Sequence, residues 1–297
     1  MKKPDFCSDH TAPRRLNGVN PLSDELLEWF YRFAASGGIP ASWVGPDYSS
    51  LPKPQNKTPL SIEIVSHCWN YANILSYQLS SLVRFPPKEV KVCMTVFYSP
   101  EDKRTCEVLD YFGKIMLDNV RWNFWPLEKA YLLRRAIGRN LAALQSRADW
   151  VYFTDCDVLF REDALDMMGQ SLRGENSLLV YPRVHQVSEL LPNDDPVFQD
   201  YTQSGMIRDI LPERFYPEER NRAIGCFQIM RGDAARLGGY CQNITYYHRP
   251  VKRWRKCYED RTIRWLLGTQ GTPVDVPGFF RIRHAAKGRK GKVVGES

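Results

Sequence analysis

No stretch of the 297-residue chain approaches the roughly 20 consecutive apolar residues of a membrane-spanning helix. Met1-Lys2-Lys3-Pro4-Asp5-Phe6-Cys7 has basic residues with no apolar core behind them, so no signal peptide is expected. The eight cysteines (7, 68, 93, 106, 156, 226, 241 and 257) include no C-x-x-C pair, which argues against a zinc site or a redox dithiol. A chain of this size needs no disulfide scaffold, and reduced cytoplasmic thiols are expected. Glycine is missing from residues 66–73, which excludes the Gly-rich loop that opens nucleotidyltransferases. Acids are missing from residues 281–292, where Arg281, Arg283, Lys287, Arg289, Lys290 and Lys292 carry six of the seven net positive charges.

What is present is enough to build on. A hydrophobic content of 43% supports a substantial core, and the length suits one large domain with an appendage. A second basic cluster, Arg249, Lys252, Arg253, Arg255 and Lys256, surrounds Trp254. Such patches serve as solvated surface, or meet nucleic acid, anionic lipid or a phosphorylated substrate; charge alone does not choose.

Residues 1–58 read as an extension packed on the main domain. Ser23 can cap a helix reaching about residue 35, with Leu26, Leu27, Phe30 and Phe33 on its apolar face and Gly37-Gly38 as its stop. Five prolines between Pro40 and Pro59 mark a connector. Residues 59–286 form the main domain, and 287–297 a basic tail.

From residue 61 the rhythm is strand, helix, strand. Ile62–Val65 is a strand, and Asn70 can cap a helix carrying Tyr71, Ile74, Leu75, Leu79 and Leu82. Strand Val90–Tyr98 precedes a helix with Cys106, Leu109, Phe112 and Met116 on one face. Strand Val120–Trp125, a long helix Leu127–Ser146 and strand Trp150–Thr154 complete the series. Later come a helix at 162–172, strands at 177–181 and 223–230, short helices ending at Gly238 and Leu267, and extended pieces at 274–276 and 279–283. Residues 182–222 read as one long irregular loop. Repeated βα units predict an α/β fold with a mostly parallel sheet flanked by helices. Ligands of such sheets collect beyond the strand carboxyl ends, here Ser66-His67-Cys68, Tyr98-Ser99-Pro100 and Asp155-Cys156-Asp157.

The last of these ends is the most informative. An apolar run, Trp150-Val151-Tyr152-Phe153, stops at two acids one residue apart. Charged carboxylates cannot remain in a core unpaired, so the chain leaves the core there. Asp155 and Asp157 are either turn formers or a pair of hard oxygen donors for Mg²⁺ or Mn²⁺ carrying a substrate's phosphates.

Beside that pair stand further matching segments: Ile64-Val65-Ser66-His67-Cys68-Trp69-Asn70, Arg135-Ala136-Ile137-Gly138-Arg139-Asn140-Leu141, Gly225–Arg231 with Leu237-Gly238-Gly239-Tyr240, and Cys257-Tyr258-Glu259-Asp260-Arg261. On these the chain resembles glycosyltransferases of the GT-A fold, family 2 in particular, over roughly residues 60–285. Ser66 and Trp69 depart from the usual Pro-x-Tyr-Asn opening. The resemblance implies a nucleotide-sugar donor bound by Ser66, Asn70, Arg139 and Asp155, with UDP the expected nucleotide. It implies a Mn²⁺ or Mg²⁺ cofactor held by Asp155, Asp157 and the late His284. Asp260 would be the general base and Glu259 an acceptor-orienting group. Arg139 is otherwise a solvent-facing helix arginine, and Glu259-Asp260 otherwise only complements the helix dipole. His67, His185 and His248 are given no role.

The expected reaction inverts configuration, on a glycan, lipid-linked or other hydroxyl acceptor. A retaining enzyme is the alternative, since Arg283-His284 and residues 257–268 also resemble polypeptide N-acetylgalactosaminyltransferases. From another class, a non-catalytic basic module for nucleic acid or anionic membrane is possible on the charge pattern, with nucleic acid the poorer partner. The basic clusters also suit peripheral contact with an anionic membrane, which would bring the enzyme to a lipid-linked acceptor.

Overall fold

The computed structural model of the chain describes residues 6–16, 21–54, 56–199, 205–254 and 258–285. The basic tail 287–297 and the cluster members Arg255 and Lys256 lie outside the described residues. Strand β1 (Ser61–His67) is the centre of the sheet, pairing in parallel with β2 (Lys91–Tyr98) on one side and β4 (Trp150–Phe153) on the other. Both its faces are covered, as its Ile and Val content suits. Strand β3 (Val120–Pro126) extends the sheet beyond β2 in parallel. Past β4 lie β9 (Gln228–Arg231), antiparallel to both its neighbours, then β6 (Leu179–Pro182) and β10 (Thr272–Val274). The order is therefore β10-β6-β9-β4-β1-β2-β3. The expected α/β architecture with a mostly parallel central sheet is the observed one.

Helices α2 (Ala72–Arg84), α3 (Lys103–Phe112), α4 (Lys129–Leu132) and α5 (Arg135–Gln145) connect the parallel strands. The long helix expected at 127–146 is thus two. Arg134 interrupts it, with its side chain buried over Tyr246 and its Nε donating to the Arg249 carbonyl. Helix α2 is buried from Ala72 to Leu82, more than one sheet face would cover. Residues 196–199 and 205–210 close its outer side, through Asn73 to the Phe198 carbonyl and Ser80 to the Met206 carbonyl. Asn70 does not cap α2; it adopts a left-handed φ of 54°, and its N–H donates to Asp102 Oδ2 at 2.7 Å. Asp102 in turn caps α3 through the N–H of Thr105. Met116 lies beyond the end of α3 and is exposed.

The supposed irregular stretch 182–222 contains two strands, β7 (Val184–Leu191) and β8 (Phe215–Glu219). They join β5 (Val158–Phe160) and β11 (Phe279–His284) in a second sheet of order β5-β11-β7-β8. Helix α6 (Ala164–Leu172) follows β5, α7 (Gly232–Gly238) follows β9, and α8 (Glu259–Leu266) precedes β10.

The N-terminal segment corrects two expectations. Helix α1 (Pro21–Phe33) begins before Ser23, and Leu26, Phe30 and Phe33 face outward, with only Leu27 of the expected face against the core. Not all thiols are free, because Cys7 and Cys93 are disulfide-bonded. The arm from residue 6 crosses the buried end of β2, where Ser8 Oγ donates to Glu63 Oε2 and Asn123 Nδ2 donates to the Ser8 carbonyl. This crossing sets the two cysteines side by side, which spacing in the sequence does not reveal. Among the described residues no helix is long and apolar enough to cross a membrane.

Candidate active site

The carboxyl ends of β1 and β4 open into a cleft of about 630 Å³, its mouth included. His67, Cys68, Trp69 and Tyr71 line it after β1, and Asp155, Cys156 and Asp157 after β4. Leu132, Leu133 and Arg135 come from the α4–α5 break, Arg281 from β11, and Trp254 from the basic loop.

The backbone of the aspartate turn is pinned from below. Gln78 Nε2, buried in α2, donates to the carbonyls of Asp155 and Val158, each at 2.9 Å. A buried amide tied to two carbonyls fixes where the carboxylates emerge. Asp155 Oδ1 accepts from Arg135 Nη1 at 2.5 Å and Arg139 Nη2 at 3.3 Å. Asp157, nearly buried, faces Arg281 Nε at 3.7 Å. Strand β11 makes that approach possible, pairing Arg281 with Val158.

Arg139 is wholly buried and not a solvent-facing helix arginine. Its guanidinium donates to the Gly225 carbonyl at 2.6 Å and to Tyr240 Oη at 2.9 Å, and Tyr240 Oη donates to Gln228 Oε1. A buried guanidinium requires such partners. Arg139 therefore supports Asp155 from behind and does not line the cleft. Arg135 continues the network forward, donating to Glu259 Oε1 at 3.3 Å. Glu259 is buried at the start of α8, whereas the Asp260 side chain is about 35% exposed, its Oδ2 3.9 Å from Arg264 Nη1. A Cβ built on Gly225 would lie 3.7 Å from the Asp260 Cβ. Arg135 and Gly225 thus link the aspartate turn to the acidic pair, although neither Glu259 nor Asp260 lines the cleft.

The other expected donor residues are less direct. Ser66 is buried in β1, and its hydroxyl has no hydrogen-bond partner among the described residues. Asn70 is held by its backbone, as described above. His67, given no role by the sequence, lines the cleft instead. Its ring stacks on Phe97 at 5.0 Å, and neither ring nitrogen has a hydrogen-bond partner among the described residues. Burial, then the Arg139 and Arg135 charges, hold its pKa well below the usual histidine range, so the ring is neutral. Gly138 makes room for it: a Cβ there would stand 2.3 Å from His67 Nε2.

His284 is buried, edge-on to Tyr71 at 5.2 Å and to Phe198 at 5.8 Å. Among the described residues no three His, Cys, Asp or Glu side chains gather to hold a metal. The donor chemistry still suits a hard cation with two protein ligands, Asp155 and Asp157, both on the cleft. Mg²⁺ and Mn²⁺ sites of that kind draw their remaining oxygens from water and substrate phosphates.

Several residues in or under the cleft carried no recognised role in the sequence: Gln78 beneath it, and Arg135, Arg281, His67 and Trp69 on its lining, the last under Lys129 Nζ at 4.5 Å. Gln78 had a signal, being a long polar residue between Leu75 and Leu79 on an apolar helix. Arg281 had only its place in the basic run 281–292, since its position at the cleft depends on β11 joining β5.

No protein-family model matches the chain, and no curated protein sequence matches it. Solved structures that resemble it include the mannosyltransferase PcManGT from Pyrobaculum calidifontis in complex with GDP-Man and Mn²⁺, at 14% identity and a TM-score of 0.43, over 88% of this chain and 65% of that one. S. aureus TarS 1–349 in complex with UDP-GlcNAc resembles it at 13% identity and a TM-score of 0.48, over 78% of this chain and 61% of that one. The TarS complex with UDP gives 14% identity and 0.47, over 75% and 60%. The chain thus spans less than two thirds of these structures, and at such scores the likeness carries no information about chemistry.

Proposed function

We propose that this chain is a glycosyltransferase that moves a sugar from a nucleotide diphosphate, with UDP the favoured nucleotide, to an acceptor hydroxyl. Residues 59–286 form its catalytic unit. The observation that carries this reading is the cleft itself: two carboxylates and two guanidiniums, from Arg135 and Arg281, converge at the carboxyl ends of β1 and β4. Trp69 and Trp254 supply flat apolar surface in the same cleft for a base or sugar ring.

Arg135 and Arg281 face the departing diphosphate and offset the charge that grows there as the anomeric carbon–oxygen bond breaks. Asp155, clamped by Arg135 and Arg139, reaches the ribose or the metal. A Mg²⁺ or Mn²⁺ ion held by Asp155 and Asp157 would, when bound, supply Lewis-acid stabilisation of the same leaving group. Asp260, the more exposed of the acidic pair, takes the acceptor's proton as its oxygen attacks the anomeric carbon. Glu259, fixed by Arg135, orients the acceptor side. This arrangement gives inversion of configuration with one base. Retention remains the competing outcome, and proton NMR of the first-formed product separates the two by its anomeric signal.

The direct test is a thermal-shift screen of UDP- and GDP-sugars with and without Mn²⁺. A donor that binds the native state and not the unfolded one raises Tm, and the rise grows with the logarithm of its concentration above Kd. Stabilisation by one nucleotide class, enhanced by Mn²⁺, is expected. No shift with any nucleotide sugar, together with salt-sensitive nucleic-acid binding, would replace this reading with that of a basic binding module.

A further inference from the structure

Helix α1 is built the wrong way round for a helix that only covers a core. Leu26, Trp29, Phe30 and Phe33 recur at the i, i+3, i+4, i+7 spacing of one face, yet they are 71%, 67%, 39% and 49% exposed. Trp29 stacks on Phe33 at 6.0 Å, so the stripe is continuous. The opposite face is the one that attaches. Asp24 is buried against Arg249 Nη1 at 2.6 Å, Glu28 accepts from Tyr246 Oη, and Tyr31 packs on Tyr247. Polar contacts thus hold α1 with its apolar stripe toward solvent. Scattered exposed apolar residues need no explanation, but an aromatic stripe aligned along one helix does.

Cationic side chains lie on α1 and on the segments that hold it. Arg249 joins α1 to the loop carrying Lys252 and Arg253, both exposed. Arg14 borders a small cavity with His248, and Arg15 beside it is exposed. Arg32 lies exposed on α1 itself, over the Tyr258 ring. Against these stands the exposed Glu25. Trp and Phe along one helix, with Lys and Arg on the segments beside it, match the headgroup region of an anionic bilayer.

We infer that α1 is a membrane-docking helix that lies in the surface of an anionic bilayer with Leu26, Trp29, Phe30 and Phe33 inserted. The surface also adjoins the proposed active site. Arg261 Nε donates to the Ala35 carbonyl and Trp265 Nε1 to the Ile39 carbonyl, so the segment after α1 grips α8, which begins at Glu259-Asp260. Trp254, next to Arg253, lines the cleft. Docking therefore brings a hydroxyl on a lipid-linked acceptor to the acceptor side. This last step rests on the transferase reading, whereas bilayer binding does not.

The test is flotation of the full chain, without donor, on vesicles of equimolar phosphatidylcholine and phosphatidylglycerol and on phosphatidylcholine alone. Co-flotation with the anionic vesicles only, weakened by salt, is expected. Trp29→Glu with Phe33→Glu should abolish it. Lys252→Glu with Arg253→Glu should weaken it by roughly five-fold or more per residue. All four positions are exposed, so Tm and the donor-induced shift of Trp29→Glu/Phe33→Glu should stay at wild-type values. Failure of wild type to float, or equal flotation on both vesicles, overturns the proposal and needs no variant. A concentration-dependent dimer by light scattering that the α1 variant dissolves, with no flotation, would assign the stripe to a second copy instead. Absence of any donor shift with flotation intact would remove only the transferase reading.

Discussion

Arg135 donates to Asp155 Oδ1 at 2.5 Å, and its other terminal nitrogen reaches Glu259 Oε1 at 3.3 Å. One side chain thus couples the donor side of the proposed site to its acceptor side. Arg135→Met should lower kcat/KM about 10²- to 10³-fold, the usual cost of removing one preorganised partner of developing charge. Arg135→Lys should recover only part, because an ammonium cannot form the same two-pronged contact. Steady-state kinetics with the donor found by thermal shift measures both, and wild-type turnover in Arg135→Met would remove this residue from the mechanism.

Asp157→Asn separates metal binding from nucleotide binding. Metal affinity falls about 10- to 100-fold when merely an outer-shell partner is lost, and loss of a ligand costs at least as much. The Mn²⁺-dependent part of the donor-induced Tm shift should therefore vanish in this variant while the metal-free shift survives. Titration of Mn²⁺ at fixed donor reads the difference, and an unchanged Mn²⁺ response would exclude Asp157 as a ligand.

Gly138→Ala reverses an ordinary rule. Glycine to alanine inside a helix normally stabilises by about 1 kcal/mol. Here the new methyl would meet His67 Nε2 at 2.3 Å and Phe97 Cδ2 at 2.9 Å. Overpacking of this kind costs about 1–3 kcal/mol, so denaturant midpoints should fall. His67→Ala in the same chain should restore most of the loss. A Gly138→Ala protein as stable as wild type would mean that the His67 ring moves aside freely.

Glu63 makes stability depend on pH. Burial is the largest influence on it and lifts its carboxyl above the usual range, against hydrogen bonds from Ser8 and Thr95. The folded chain therefore keeps a proton that the unfolded chain has released above about pH 4.3. The stabilisation is complete below that pH and is lost as pH rises through the raised folded value. Glu63→Gln should flatten this decline in a series of Tm measurements, and an equally steep decline in the variant would place its origin elsewhere.

How much of this was legible in the sequence differs by residue. The parallel strands were readable because Ile, Val and aromatic runs stand between clear helical stripes, and Asp155-Cys156-Asp157 announced a chain leaving the core. The break at Arg134 was not, because Leu133, Ile137 and Leu141 keep a helical spacing across it. What ends α4 is a tertiary contact with Tyr246 and Arg249. Strands β7 and β8 were read as loop because the partner of β7 is β11, far along the chain, and their own alternation is weak. On α1 the period was right and the face inverted, since periodicity identifies a stripe and cannot say which way it turns. Arg139 was named on a family likeness, while its burial could be seen only once Tyr240 and Gly225 surrounded it.

Ser8 has a practical consequence for anyone shortening this protein. Its hydroxyl serves the Glu63 carboxyl group and its carbonyl receives the Asn123 amide, while Cys7 beside it is bonded to Cys93. A start site chosen downstream, at the first helix or at β1, would strip a hydrogen-bond partner from a buried carboxyl group at the middle of the sheet and leave an orphaned thiol. Expression trials that trim the N-terminal segment for crystallisation should therefore begin upstream of residue 7, or change Glu63 at the same time.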